Sequence, residues 1–237
     1  MKVKISTFIA AIALLFGVTT SFAQGTNAYF KKDGVTVFQS PISEIDSIVF
    51  KPITTEDECQ SFDNPQGVVI NGVRWATRNV GAPGTFVSSP CDYGEFYQFN
   101  KGTTDFLLND DYSVYANSDS WLPANDPSPA GWRVPTLDEI QKLLDTNYVT
   151  YEWINNNGLI GEKFTDKATG NSIFLPAAGE HDSNNGELYN VGSYGYYWSS
   201  TVNGAYAAYR MGLARGYTDW ESYCSRDYGF SVRPVAE

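Results

Sequence analysis

Few side chains in this chain could do catalytic chemistry. Its 237 residues include one histidine, His181, in the polar segment GEHDSNNGE. A three-histidine iron centre therefore cannot be assembled within one copy, and a Ser-His-Asp triad could form only around His181. The sequence contains no G-x-S-x-G turn that would present a nucleophilic serine. The sequence predicts His181 in an exposed loop, and it predicts that the protein is not an enzyme.

Carboxylates occur in pairs, but none has the signature of an acid/base site. Residues 110–111 and 138–139 are adjacent acids of the kind common on protein surfaces. The Asn-Asp-Asp at 109–111 and the Asn-Asp at 125–126 supply oxygen atoms, the ligands that calcium prefers. The same residue types cap turns, and the sequence favours that role. No metal or cofactor is predicted, and calcium has no specific motif to support it.

The segment GWRVPTLDE at residues 131–139 predicts how a helix begins. A short strand around Trp132 ends at a proline, which cannot continue strand pairing. Thr136 is placed to accept a hydrogen bond from the backbone N–H of Glu139, and the Glu139 carboxylate can accept one from the Thr136 N–H. Apolar residues at 140, 143 and 144 then continue with helical spacing, so one face of this helix should pack on a core.

Two aromatic motifs predict strands of the core. GYYWSST at residues 195–201 and GFSVRPV at 229–235 alternate between two kinds of side chain, as a strand with two different faces does. The glycine that opens each motif suits a tight entry into the strand. We predict Trp198 and Phe230 as core residues.

These motifs, in this order, resemble one family of domains. LPAAG at residues 175–179 completes the set, and INGVRWATRNVGAPGTF at 70–86 and GEFYQFNKG at 94–102 fit the same pattern. Together they resemble the Fibrobacter succinogenes major paralogous domain, common in secreted proteins of Bacteroidetes and Fibrobacteres. The resemblance covers the chain from about Gln66 to its end.

The resemblance implies a fold but no reaction. The expected fold is α+β and C-type-lectin-like, with short antiparallel strands and one or two helices, distantly related to formylglycine-generating enzymes. Those enzymes need a reactive cysteine pair near the C-terminal strands, and this chain has only Cys224 there. The family has no established general activity.

Three cysteines are present: Cys59, Cys91 and Cys224. Two of them can pair in an oxidising compartment, and we predict the pair Cys91–Cys224. Relatives often carry cysteines where this chain has Ser128 and Pro234, and the joint absence of both fits the loss of one disulfide. No spacing among the three suits zinc.

The stretch from residue 189 to 228 is dense in aromatic residues. Rings with polar tips suit stacking on sugars and recognition of protein loops, although strands of a core also need them. A hairpin is predicted around residues 214–219. In the fold that the family implies, this region forms the ligand-facing surface. The predicted ligand-binding residues are Arg210, Arg215, Tyr217 and Trp220.

The N-terminus predicts export. Lys2 and Lys4 precede an apolar run at residues 8–18, and Ser-Phe-Ala at 21–23 is a small-x-small cleavage site. The run is short for a bilayer span, so a cleaved signal peptide over residues 1–23 is favoured over a membrane anchor. The predicted destination is the periplasm, the cell surface or the medium.

The charge disfavours several partners. Removing residues 1–23 leaves 14 basic and 27 acidic residues, a net charge of about −13. Such a surface repels phosphate backbones and anionic lipids, so neither nucleic acid nor membrane is a predicted partner.

The mature part divides unevenly. Residues 24–51 predict a small β-hairpin-like module, with Asp-Gly at 33–34 as the turn, too short to hold a core of its own. Residues 52–65, with four acids, predict a linker, and 66–237 form the main domain. An exposed edge strand in the small module would favour a role in assembly.

These observations predict an exported, non-enzymatic binding or adhesion module that recognises a glycan or a surface protein through aromatic side chains. One alternative is a structural component of a cell-surface assembly. Another is a degenerate relative of the formylglycine-generating enzymes, which a close pair of reduced cysteines in a pocket would favour. The sequence predicts no oligomeric state.

Overall fold

The computed structural model describes residues 19–21, 27–32, 35–41, 55–108, 118–156, 158–220 and 223–237. The chain separates into two compact units, residues 1–52 and residues 53–237. In the described ranges, no helix is long and apolar enough to cross a membrane.

The first unit contains one antiparallel sheet of three strands. They are β1 (Thr19–Ser21), β2 (Asn27–Lys32) and β3 (Val35–Pro41), in the order β1-β2-β3. The β2–β3 pairing has one irregularity, between Phe30 and Lys31. The predicted Asp-Gly turn, the last ten residues of the predicted module and the rest of the predicted signal peptide lie outside the described residues.

The second unit consists mainly of short strands in four sheets. Its elements are α1 (Thr55–Gln60), β4 (Val68–Ile70), β5 (Val73–Trp75), β6 (Tyr97–Gln98), a 3-10 turn (Pro123–Asn125), β7 (Trp132–Arg133), α2 (Leu137–Leu144), β8 (Val149–Asn156), β9 (Leu159–Asp166), β10 (Ser172–Pro176), β11 (Glu180–His181), β12 (Leu188–Tyr189), β13 (Tyr194–Asn203), β14 (Ala207–Ala214), β15 (Tyr217–Asp219), β16 (Tyr223–Ser225), β17 (Gly229–Phe230) and β18 (Val235–Ala236). The sheets are ordered β4-β5-β18-β7, β10-β9-β8, β12-β11-β17-β6 and β13-β14-β15, with β16 also paired to β14.

The α+β fold class expected from the resemblance is wrong, because the described residues are mainly β. Helix among them is confined to α1, α2 and the 3-10 turn. The 16 tyrosines and 14 phenylalanines favour strands, and the stripe with helical spacing ends at Leu144. Asp145 then accepts a hydrogen bond from the backbone N–H of Asn147 and turns the chain into β8.

Buried hydrophobic side chains of the described residues gather into three clusters. The first joins α2 with β9, β10, β13 and β14. The second contains Trp198 and Phe230, both fully buried, with ring centroids 4.4 Å apart. Because successive residues of β13 point to opposite faces, Tyr197 enters the first cluster and Trp198 the second. The third and smallest lies around Cys59, with Phe62, Leu159 and Phe174.

The predicted linker belongs in part to the fold. Residues 55–60 form α1, and Cys59 and Phe62 are buried in the third cluster. This helix brings Cys59 to Cys91, and the two form the disulfide. The predicted Cys91–Cys224 bridge is therefore wrong, and Cys224 is a free, half-buried thiol on β16. The acidic segment TEDECQ has no apolar periodicity, so the sequence gives no sign of the helix that sets this pairing.

The capping box at the start of α2 is confirmed. Thr136 Oγ1 accepts a hydrogen bond from the Glu139 N–H at 3.3 Å, and Glu139 Oε2 accepts one from the Thr136 N–H at 2.8 Å. Arg133 adds a two-pronged ion pair to the same carboxylate, at 2.8 and 2.7 Å. Trp132, on β7, is half-buried and packs edge-on against Phe86, with centroids 5.7 Å apart.

Thr136→Ala is expected to lower the free energy of unfolding by about 1 kcal/mol, because one N–H at the helix start loses its acceptor. Urea titration of the two proteins measures this difference. Thr136→Ser keeps the acceptor oxygen and is the matched control. Equal losses in both variants would contradict a role for the cap.

Candidate ligand-binding face

The hairpin predicted around residues 214–219 is present. Strands β14 and β15 pair antiparallel, with Ala214 opposite Tyr217 and Gly212 opposite Asp219. The turn at Arg215 and Gly216 contains a positive φ of 78° at the glycine, which glycine adopts at little cost. Side chains alternate along β15, so Tyr217 and Asp219 share one face of the sheet and Thr218 lies on the other.

The structure brings two of the four predicted ligand-binding residues to one face of the sheet and places the other two elsewhere. Strand alternation and register place Arg210 and Tyr217 on the same face of the sheet. Arg215 is exposed in the turn between the two strands. Trp220 is only partly exposed and packs against the first hydrophobic cluster. Trp220 therefore has a structural role in the core that the sequence pattern did not predict.

Two tyrosines on β13 join this face, and the sequence analysis did not single them out as site residues. Tyr194 and Tyr196 lie two positions apart and are paired with Ala214 and Gly212. Their rings are parallel within 7°, with centroids 5.9 Å apart. A Tyr-x-Tyr spacing in a strand was the available signal, because residues two apart share a face. We call the set Tyr194, Tyr196, Arg210, Tyr217 and Asp219 the tyrosine face.

The Arg210 guanidinium lies over one ring of this pair. Its guanidinium carbon lies 4.4 Å from the centroid of the Tyr196 ring, a cation–π distance. The space it occupies exists because residue 212 is glycine: a Cβ there would lie 2.5 Å from Arg210 Nη1. Gly212 thus leaves room for the arginine head between Tyr196 and the strand that carries Asp219.

The face carries both hydrogen-bond donors and acceptors. The Tyr217 hydroxyl donates to Asp219 Oδ2. Glu180, on β11, accepts from Asn190 Nδ2 at 2.9 Å. Burial raises the pKa of Glu180, and the Asn190 hydrogen bond and the charge of Arg210 offset part of that rise. Arg210 therefore lies within electrostatic range of the Glu180 carboxylate.

Tyr196 keeps its proton in this environment. Burial raises the pKa of its phenol to about 12, with a further rise from the charge of Glu180. The hydroxyl therefore remains a neutral donor at physiological pH.

The exposed tyrosines are concentrated in one stretch of the chain. Of the exposed tyrosines in the described ranges, only Tyr148 lies outside residues 189–223. The others are Tyr189, Tyr194, Tyr206, Tyr217 and Tyr223. Leu188 and Val191 are exposed in the same region. Tyr194 and Tyr217 belong to the tyrosine face, whereas strand register places Tyr223 beside Tyr209 on the opposite face of the sheet.

His181 does not lie in an exposed loop, so that prediction is wrong. It is half-buried on β11, with its ring centroid 4.8 Å from that of Phe96 and 5.5 Å from that of Phe106. Its Nδ1 lies 2.7 Å from the carbonyl oxygen of Gly186. These contacts make His181 a packed side chain between two phenylalanine rings.

The calcium candidates divide between described and undescribed residues. Residues 109–111 lie outside the described ranges. Asp126 accepts hydrogen bonds from the N–H groups of Ser128 and Val134, both at 2.8 Å, so it organises a turn. Within the described part of the chain, no three His, Cys, Asp or Glu side chains come together as a metal site.

A separate cleft of about 250 Å³ lies beside the disulfide. Its lining includes Leu159, Ile160 and Phe174, with Asp92 as its one charged side chain. None of the four predicted ligand-binding residues lines it.

The comparisons with known proteins give no activity. A family model described as "Domain of unknown function (DUF8237)" matches residues 153–235, a minority of the chain that contains the whole tyrosine face. No curated protein and no solved structure matches the chain. The family resemblance drawn from the motifs stays a prediction.

Proposed function

We propose that this chain is an exported, non-enzymatic binding module that holds a glycan on the tyrosine face. The observation that carries the proposal is the parallel pair Tyr194 and Tyr196, with the guanidinium of Arg210 held against the second ring. Aromatic rings at a surface offer flat apolar area for a sugar, and their hydroxyls offer hydrogen bonds.

The chemistry of the face suits a ligand rich in hydroxyl groups. Asp219 supplies carboxylate acceptors, Arg210 supplies N–H donors, and the tyrosine hydroxyls can do both. The residues of the face lie on three paired strands, so a ligand would meet groups that are already ordered. Such preorganisation lowers the entropy cost of binding.

Export is supported by two observations. The N-terminal sequence has the charged, apolar and small-residue regions of a signal peptide. Cys59 and Cys91 form a disulfide, and disulfides persist in oxidising compartments outside the cytosol.

The cysteine arrangement does not support the formylglycine-generating alternative. That chemistry needs two close reduced cysteines, and Cys59 and Cys91 are joined to each other. Burial raises the pKa of Cys224 to about 11, which disfavours the reactive thiolate form.

The test is a glycan array probed with the mature chain, residues 24–237, followed by affinity measurement on each hit. Tyr217→Ala is expected to weaken binding roughly tenfold, because it removes an exposed ring from the face. Tyr217→Phe keeps the ring and should retain most of the affinity. Trp220 is a poor choice for this test, because its substitution would also disturb the core.

Tyr148→Ala is the matched control, since Tyr148 is equally exposed but lies outside the 189–223 region. Equal weakening by the two alanine variants would contradict the proposed face. An array without hits would overturn the glycan proposal. A hit lost on adding a calcium chelator would place the site elsewhere, because the proposed contacts need no metal.

A further inference from the structure

The leader segment supplies a strand to the first unit. β1 pairs antiparallel with β2, with Thr19 opposite Lys31 and Ser21 opposite Tyr29. The other edge of β2 is paired with β3, so β2 is the central strand of the sheet. β1 falls within residues 1–23, the segment with the composition of a signal peptide.

Cleavage after Ala23 would remove β1 and leave one edge of β2 unpaired. The remaining hairpin consists of strands of six and seven residues. A two-stranded hairpin of this size is at best marginally stable in water, and a third strand is normally needed. The vacated edge also presents a row of unpaired N–H and C=O groups, which is a template for another strand.

We propose that in the mature protein this edge pairs antiparallel with β2 of a second copy, forming a four-stranded sheet β3-β2-β2-β3 across the dimer. The proposal rests on the signal-peptide cleavage proposed above and is independent of the glycan site. The structure already shows that this edge accepts an antiparallel strand, because β1 occupies it in that sense.

A second copy fits the edge for reasons of symmetry. Cleavage vacates the same edge in every copy, and a two-fold axis lets each copy supply what the other has lost. Antiparallel pairing about a two-fold axis sets one residue opposite its own counterpart. If Tyr29 is that residue, Lys31 lies opposite Asn27 of the other copy, and if Phe30 is that residue, Lys31 lies opposite Tyr29. In both registers, no lysine lies opposite a lysine. Like charges directly opposite would oppose pairing.

The test compares two forms of the chain by sedimentation equilibrium. Residues 24–237 lack β1 and are expected to sediment with twice the monomer mass. Residues 19–237 keep β1, which pairs with β2 within the same copy, and are expected to sediment as a monomer. The two forms differ by only five residues, so they form a matched pair.

A peptide of residues 16–23, FGVTTSFA, provides a second arm. In excess, it should occupy the β2 edge and convert the dimer of residues 24–237 to monomer. The same peptide with proline in place of Thr20 lacks a backbone donor and should be less effective. This arm needs no substitution in the protein, so misfolding cannot imitate its result.

Three results would overturn the proposal. Residues 24–237 could remain monomeric at about 100 μM, which is at the weak end of the affinity range for specific pairs. Both forms could dimerise equally, which would place the interface away from the β2 edge. Mass spectrometry of the exported protein could show an N-terminus that retains residues 19–21. None of these results bears on the glycan array, so the two proposals can fail separately.

Discussion

Replacing Cys59 and Cys91 together with serine is expected to lower the free energy of unfolding by about 3–4 kcal/mol. The bridge closes a loop with a sequence separation of 32 residues. Without it, the unfolded chain gains conformational entropy, and the native state loses a covalent tie between α1 and the loop at Cys91. This is one of the two largest effects that we expect from changes to this chain.

The position of the bridge explains why its loss should matter. Helix α1 has only six residues, and an isolated helix of that length is unstable in water. Cys59 of this helix and Phe62, two residues beyond its end, pack in the small third cluster, where Phe62 stacks on Phe174 with centroids 5.4 Å apart. The disulfide therefore adds a covalent link to the apolar contacts of the third cluster.

Urea unfolding followed by tryptophan fluorescence measures the effect. Cys224→Ser is the matched control, because Cys224 is free and half-buried on β16. It should change the free energy of unfolding by less than about 1 kcal/mol. Peptide mapping without reduction should recover Cys59 linked to Cys91. A linked pair that includes Cys224, or a Cys224→Ser loss as large as that of the double variant, would overturn the assignment.

The second large effect concerns Glu162, a carboxyl group buried on β9 with 3% of its surface exposed. Strand register places it opposite Trp153 on β8 and Leu175 on β10. Thr218 Oγ1, on β15, donates a hydrogen bond to Glu162 Oε2 at 3.3 Å. Burial raises the pKa of Glu162 to about 7, the Thr218 hydrogen bond lowers it, and the charge of Glu152 adds to the rise.

The raised pKa makes stability depend on pH in a defined direction. Glu162 has an ordinary pKa of 4.5, so between about pH 4.5 and 7 the unfolded chain has lost the proton that the folded chain keeps. The stability that protonated Glu162 contributes is fully present below about pH 4.5 and is lost as the pH rises through about 7. Over this pH range, the free energy of unfolding is expected to fall by about 3 kcal/mol at most.

Glu162→Gln should remove this dependence, because the amide is neutral at every pH and can still accept the Thr218 hydrogen bond. We expect the variant to match the natural chain near pH 4.5 and to exceed its stability by roughly 2–3 kcal/mol at pH 8. Urea titrations of both proteins at the two pH values measure this difference. Comparing the proteins at each pH cancels the titration of all other groups.

Glu95→Gln is the control, since Glu95 is exposed and its substitution should give the same difference at both pH values. If Glu162→Gln likewise gave a constant difference, Glu162 would be ionised in the folded state across this range.

Local interactions were predictable from the sequence. The Thr136–Glu139 capping box depends on residues three apart, and the hairpin at residues 214–219 depends on one turn between two short strands. Trp198 and Phe230 are buried because strand alternation and hydrophobicity act together on each position.

The burial of Arg233 could not be predicted from such local patterns. Alternation along GFSVRPV predicts a polar side for this residue, yet it is 1% exposed. Its guanidinium donates to Asn79 Oδ1 at 2.8 Å and to the carbonyl oxygens of Ala76 and Phe174 at 3.3 and 3.0 Å. These acceptors lie 154, 157 and 59 residues away in the chain, so no local pattern could indicate them.

The tyrosine face likewise depends on contacts between separate strands, which no local pattern could indicate. Tyr194 and Tyr217 belong to different strands, and only the register of β13, β14 and β15 brings them to one face with Arg210. Trp220 was predicted for that face, but its contacts with the first cluster turn it inward.

The sequence by itself determined the leader-like N-terminus, the acidic charge, the helix cap and the turns, because these depend on composition or on residues a few positions apart. Only the tertiary structure decided that Cys59 pairs with Cys91 and that Glu162 is buried. It also decided which aromatic side chains reach the surface. Each of these outcomes depends on which distant strands and helices come into contact, and many sequences with the same local patterns could make different contacts.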